Sequence, residues 1–172
     1  YSAALRGAGL GLKVAVVEKD DRCGGTCLNR GCIPTKALLH AAEVMDGVHE
    51  ASERWGIKAT VESIDYSATV AVREDIVTKN VKGLEGHLKK DGIAIVRGRG
   101  RVTGPRTVQV EGAGELTATR ALVLATGSQP KSIPGLEIDG ERVINAHHAL
   151  KLDHRPQSVI VLGAGAVGVE FA

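Results

Sequence analysis

The sequence predicts an α/β fold in which short apolar strands alternate with helices, and three observations predict it. A run from Ser158 to Leu162 leads directly into Gly163-Ala-Gly165-Ala-Val-Gly168 and then Val169, Glu170 and Phe171, the strand, glycine turn and helix of an α/β crossover. A continuous apolar run, Ala121 to Ala125, suits a parallel strand buried on both faces. Short β-type runs at Ile93–Val96, Arg101–Thr103 and Thr107–Val110, separated by Gly and Pro turns, predict a small β-meander packed on the main sheet.

Bulk properties narrow the function. The chain has 172 residues, enough for one ordinary core or for one domain and part of another. Net charge is only +2 with both signs mixed along the chain, and aromatics make up 2%, so neither the basic footprint nor the stacking surface of a nucleic-acid binder is present. No run approaches the length of a transmembrane helix. Three cysteines without a secretory leader point to a reducing, cytoplasmic compartment, where a dithiol is more often catalytic than structural.

From the start, Ser2 to Leu10 reads as an Ala-rich helix leading through Gly11 into a strand, Val14 to Val17. That helix belongs to a βαβ unit whose first strand and glycine loop would precede Tyr1. Glu18, directly after the strand, stands where a dinucleotide fold places the carboxylate for a ribose 2′-OH; a solvated surface carboxylate is the plainer alternative. Apolar spacing predicts a helix from Thr35 to about Arg54, through Leu38, Leu39, Ala42, Val44, Met45 and Val48, stopped by Gly56 and with Pro34 tolerated in its first turn. A second helix, Tyr66 to Lys90, carries a stripe of Val70, Ile76, Val77, Val81, Leu84 and Leu88, with Gly92 ending it and His87, Lys89 and Lys90 on its solvated side. Gly98 and Gly100 read as turn residues that also let backbone approach a ligand. Thr126-Gly127-Ser128 follows the Ala121–Ala125 strand, at the end where α/β sheets bind ligands. His147, His148 and His154 read as surface.

The stretch Gly24 to Lys36 sets Cys27 and Cys32 five positions apart at a helix start. In an undistorted helix such a pair has Cα atoms roughly 8.6 Å apart, whereas a disulfide needs less than about 7 Å. A bridge therefore requires a distorted first turn, for which Gly31 supplies the freedom. Four readings stand side by side: two thiols packed as small hydrophobes, a structural disulfide closing a very small loop, a zinc site drawing on Cys23 and His40, and a redox-active dithiol. The last is favoured by the helix N–H groups, by Arg30, and by Lys36 one turn beyond Cys32, all of which stabilise a thiolate.

The run Gly24-Gly-Thr-Cys-Leu-Asn-Arg-Gly-Cys-Ile-Pro-Thr-Lys36, continued by Ala-Leu-Leu-His-Ala-Ala-Glu43, resembles the dihydrolipoamide dehydrogenase branch of the pyridine nucleotide-disulfide oxidoreductases. The resemblance covers essentially the whole chain. It implies an FAD/NAD(P)-binding Rossmann-like, three-layer fold truncated at both ends, with residues 1–145 as an FAD-binding domain and 146–172 as the start of an NAD-binding domain. It further implies that Cys27 exchanges with the substrate dithiol while Cys32 contacts the flavin, with Lys36 beside the flavin and paired with Glu170. Glu18, Gly25, Thr26, Gly100, Thr126, Gly127 and Ser128 would serve the FAD site, and Gly163, Gly165 and Gly168 the NAD pyrophosphate; no metal is implied.

The resemblance also implies the partners. They are a dihydrolipoyl group on a lipoylated carrier protein, a 2-oxo acid dehydrogenase or glycine cleavage complex, and a second copy in a homodimer built by a C-terminal domain, absent here, that also supplies the general-base histidine. Related mercuric, mycothione and glutathione-type reductases share the two-cysteine chemistry, and a catalytically inactive nucleotide-binding fragment is the alternative from another class. Without those flanks the 172 residues alone are expected to be inactive. Cys23 departs from the family pattern and has no role in it.

Overall fold

In the computed structural model, which describes Tyr1 to Ala172, the chain divides into two units: Tyr1–Gly25 with Lys79–Ser128, and Thr26–Thr78 with Gln129–Ala172. In the first unit, helix α1 (Ser2–Gly9) is built of small residues, so it lies close to the following strand; a Cβ on Gly7 would stand 3.1 Å from Val14 Cγ2. Gly11, at φ 77°, ends the helix and turns the chain into β1 (Ala15–Glu18). β1 pairs in parallel with β2 (Ala94–Arg97), in the register Ala15↔Ala94 through Glu18↔Arg97. A parallel pair needs a long crossover, and three helices supply it: α2 (Gly25–Arg30), α3 (Cys32–Arg54) and α4 (Tyr66–Lys90).

The α4 stripe is buried as the spacing predicts at Val77, Val81, Leu84 and Leu88, whereas Val70 and Ile76 are half-buried. Gly92, at φ 69°, closes α4 and delivers the buried Ile93 to β2. The Ile93–Val96 run therefore belongs to the parallel pair, not to the meander. The meander is β3 (Gly100–Gly104), β4 (Thr107–Val110) and β5 (Gly114–Thr117), antiparallel in that order. Its third strand escaped the sequence reading because Gly112 and Gly114 resemble turn residues there.

Gly98 adopts φ 140°, and a Cβ on it would run into the Glu111 carbonyl oxygen. A Cβ on Gly100 would stand 3.1 Å from Val108 and Val17 methyl carbons. Protein packing thus accounts for both glycines. Ala121–Ala125 forms no strand, contrary to expectation, and Val123 and Leu124 are exposed. A central parallel strand is held by neighbours on its edges, and no segment pairs with this one.

The second unit holds α2 from Thr26 onward, α3, the start of α4, and two short helices, α5 (Ala146–Ala149) and α6 (Ala166–Phe171). Gly31 (φ −145°, ψ −115°) breaks the helical path between α2 and α3, so α3 starts at Cys32 rather than Thr35. Gly56 (φ 67°) follows the end of α3, and Asp65 Oδ1 accepts from Ala68 N at 3.0 Å to open α4. An Arg73 guanidinium nitrogen donates to the carbonyl of the buried Leu150, which ties α4 to the α5 segment. Ser158–Leu162 also forms no strand and leaves Ile160 exposed, for the same lack of a pairing edge. The glycine turn and helix beyond it nonetheless form, because their hydrogen bonds are local.

Candidate functional site

Two successive glycines at positive φ, Gly24 (117°) and Gly25 (63°), turn the chain into α2. Cys27 lies within α2 and Cys32 is the first residue of α3, and the break at Gly31 folds one helix end back on the other. The two cysteines form a disulfide with a Cα separation of 4.6 Å, far below the straight-helix value. A Cβ on Gly31 would meet Thr26 O at 2.9 Å and Cys27 Cα at 3.3 Å, so only glycine admits this approach. Both cysteines are exposed, which leaves the bond open to an incoming thiolate. No group of three or more His, Cys, Asp or Glu side chains is arranged to hold a metal ion, and Cys27 and Cys32 are bonded to each other.

Lys36, one turn along α3 from Cys32, donates from Nζ to Glu170 Oε1 at 3.0 Å, with side-chain exposures of 62% and 35%. Glu170 is carried on α6 by the glycine turn. Gly163 sits at φ 123°, and open space surrounds the Cβ positions of Gly163 and Gly165. A Cβ on Gly168 would strike the Gly163 carbonyl. These are the three demands of a pyrophosphate loop: a tight turn, room for the ligand, and close packing of helix on turn. The residues present fit a dinucleotide.

In the first unit, Glu18 is half-buried at the end of β1, and its Oε1 accepts from Asp20 N at 3.0 Å. Gly100, Thr126, Gly127 and Ser128 are exposed, with Gly127 at φ 75°. Beside Glu18 lies a cluster that sequence reasoning missed. Glu85 Oε1 accepts from Cys23 N at 3.2 Å and from the Arg97 guanidinium at 2.6 Å, and Arg97 also donates to Asp20 O at 2.8 Å. Burial pushes the Cys23 thiol up, opposed by Arg97 and reinforced by Glu85. Burial also presses the Glu85 carboxyl upward, yet the Cys23 N–H and the Arg97 guanidinium outweigh it and hold the carboxyl below its usual range. No spacing rule links residues 62 and 12 positions apart, so only the packing of α4 beside the end of the β1–β2 pair reveals the cluster.

His147 and His148 are half-buried rather than surface residues. Asn145 Oδ1 accepts from both their backbone N–H groups, and Asn145 N donates to His148 Nδ1. Burial, then the charge of Arg30, push the His147 imidazole pKa down.

The parallel α/β crossover carries an exposed disulfide at a helix start, and a glycine turn of the pyrophosphate type follows later in the chain. The chain belongs to the pyridine nucleotide-disulphide oxidoreductase family, whose model matches residues 1–172. It is 40% identical over 183 residues to dihydrolipoyl dehydrogenase of Bacillus subtilis (strain 168), covering 100% of this chain and 38% of the relative. It is 38% identical over 174 residues to the mitochondrial dihydrolipoyl dehydrogenase of Dictyostelium discoideum, covering 99% and 36%. Among solved structures it is similar to the HOCl-induced flavoprotein disulfide reductase RclA from Escherichia coli, at 25% identity and a TM-score of 0.78, covering 99% of this chain and 35% of that one. The chain thus spans somewhat over a third of the length of the relatives it matches. No helix is long and apolar enough to cross a membrane.

Proposed function

We propose that this chain is the dithiol-bearing part of a flavin-dependent disulfide oxidoreductase that oxidises dihydrolipoyl groups with NAD. The observation that carries the reading is the exposed Cys27–Cys32 disulfide at the α2–α3 break. One thiolate of the substrate attacks Cys27 Sγ, the Cys27–Cys32 bond breaks, and Cys32 leaves as a thiolate at the start of α3. The second substrate thiolate then attacks the substrate sulfur of the mixed disulfide, Cys27 leaves as a thiolate, and the substrate departs as a cyclic disulfide. Two electrons have passed to the protein's sulfur pair, and the two substrate protons go to a base or to solvent. FAD, when bound, would carry those electrons onward to NAD as hydride.

In the first unit Glu18 would hold the FAD adenosine ribose, with Gly25, Gly100, Thr126, Gly127 and Ser128 also serving that cofactor. In the second, Thr26 and Lys36 would face the flavin while Gly163, Gly165 and Gly168 would hold the NAD pyrophosphate. The reading takes residues 1–145 as FAD-binding and 146–172 as the start of the NAD-binding domain. It includes a homodimer, a cytoplasmic setting, and a lipoylated carrier of a 2-oxo acid dehydrogenase or glycine cleavage complex. The two dihydrolipoyl dehydrogenases, each matched over nearly all of this chain, support the substrate assignment.

The test is NADH formation from dihydrolipoamide and NAD by the full-length protein. Cys27→Ser and Cys32→Ser should each lower turnover by at least about a thousandfold, since the pair acts as a unit. Wild-type turnover in either variant would overturn the dithiol mechanism. Faster turnover with glutathione disulfide and NADPH would overturn the substrate.

A further inference from the structure

The cluster beside Glu18 has no part in the electron path, yet Glu85 and Arg97 join it through three hydrogen bonds. Arg97 stands opposite Glu18 in the β1–β2 register, and Gly98 N donates to Glu18 O at 3.0 Å. One arm of the Arg97 fork grips Asp20 O at 2.8 Å, and Asp20 N in turn donates to Glu18 Oε1 at 3.0 Å. The other arm is held by Glu85 at 2.6 Å, which also accepts from Cys23 N at 3.2 Å, so both ends of the segment after Glu18 are tied to one ion pair. Cys23 is buried at 2% exposure and makes the far end of that segment a fixed point.

Resting on the ribose reading of Glu18, we propose that Arg97, braced by Glu85, is a positioning residue that sets the Glu18 carboxylate to receive a ribose 2′-hydroxyl. An unbraced carboxylate at the end of an edge strand samples many rotamers and loses most of its preference for a hydroxyl. Asp20 O and Asp20 N flank one Cα, so a guanidinium that holds the carbonyl restrains the adjoining N–H that holds one carboxylate oxygen, and so aims the other. The Cys23 position follows from the same brace: its N–H fills the remaining demand of Glu85.

The experiment titrates the apoprotein of the full-length flavoprotein with FAD and with its analogue lacking the adenosine 2′-hydroxyl, followed by flavin fluorescence. Wild type is expected to bind FAD at least about tenfold more tightly than the analogue, the ratio for a hydrogen bond to a charged group. Arg97→Met should bring that ratio below about threefold while affinity for the analogue stays unchanged, a pattern that general loosening of the fold would not produce. Where Arg97→Met yields no folded apoprotein, Glu85→Ala carries the same expectation. A wild-type ratio in either variant, with the ratio lost in Glu18→Gln, overturns the positioning role alone. A wild-type ratio in Glu18→Gln overturns the ribose reading itself, and the positioning role with it.

Discussion

At the scale of single residues, the disulfide depends on one missing side chain. Gly31 lets α2 and α3 meet, and the atoms a Cβ would strike belong to backbone, so no rotamer change relieves the contact. Gly31→Ala is expected to cost about 1–3 kcal/mol, the range for overpacking, and because that cost falls on the closed disulfide it should shift the dithiol–disulfide equilibrium toward the dithiol about ten- to a hundredfold. Alkylation in defined thiol buffers, read by mass, measures this; an unchanged midpoint would show that the helices can part without losing the bond.

Lys36 makes the complementary case. Its pair with Glu170 is too exposed to matter for folding, so Lys36→Met should change stability by less than about 1 kcal/mol. Removing the cation nevertheless disfavours a thiolate on the same helix end, so the pH at which reduced Cys32 reacts with iodoacetamide should move upward. Glu170→Gln should move it downward, because the lysine charge is then unopposed. The rate–pH profile of each variant decides between these signs.

At the scale of elements, α4 supplies four of the buried apolar side chains, Val77, Val81, Leu84 and Leu88. Leu88 has 0% exposure, so Leu88→Ala should lower unfolding free energy by about 2–5 kcal/mol in urea titration. Val72, on the same helix but 60% exposed, should tolerate alanine within about 0.5 kcal/mol. That contrast was readable before any coordinates, because a helix closes its hydrogen bonds within itself and its buried stripe follows from spacing alone. The start of α3 was not: apolar spacing begins the helix at Thr35 with Pro34 in its first turn, and only the break at Gly31 sets the first residue at Cys32.

Strands lie at the other extreme. β1 and β2 form as strands because each finds its partner, although the β2 run is expected in the meander, whereas Ala121–Ala125 and Ser158–Leu162 carry the same apolar signal and pair with nothing. The candidate site divides in the same way. Cys27, Cys32, Lys36 and the glycine turn sit in local motifs, and their pattern was visible. Glu85 on α4 and Arg97 on β2 meet only through the way the helix packs along the strand that follows it, and the capping of α5 by Asn145 and His148 depends on side-chain direction that spacing does not encode.

At the scale of the whole molecule, the shifted groups bound the pH range of full stability from both sides. Burial and the charge of Arg30 lower the His147 pKa, so folding favours its neutral form. Its contribution is complete above the ordinary value of 6.5 and is lost as pH falls through the depressed value, because the unfolded chain takes up the proton first. Glu85, also lowered, contributes fully above 4.5 and loses that contribution at more acid pH. Cys23 has a raised pKa, so its contribution is complete below 9.0 and is lost as pH rises beyond it, when the unfolded chain releases the thiol proton first. Stability should therefore be flat between 6.5 and 9.0, fall first below 6.5 with His147, fall again at more acid pH where Glu85, Asp139 and Asp153, all lowered, take up protons, and fall above 9.0 with Cys23. The steps can be assigned because the groups lie in different units: hydrogen exchange of β1 and β2 amides should report the alkaline loss, and amides of α3 the loss below 6.5. Cys23→Val should remove the alkaline step and His147→Gln the first acid step, each leaving the others in place. A step that survives its own substitution would mean that another group titrates there.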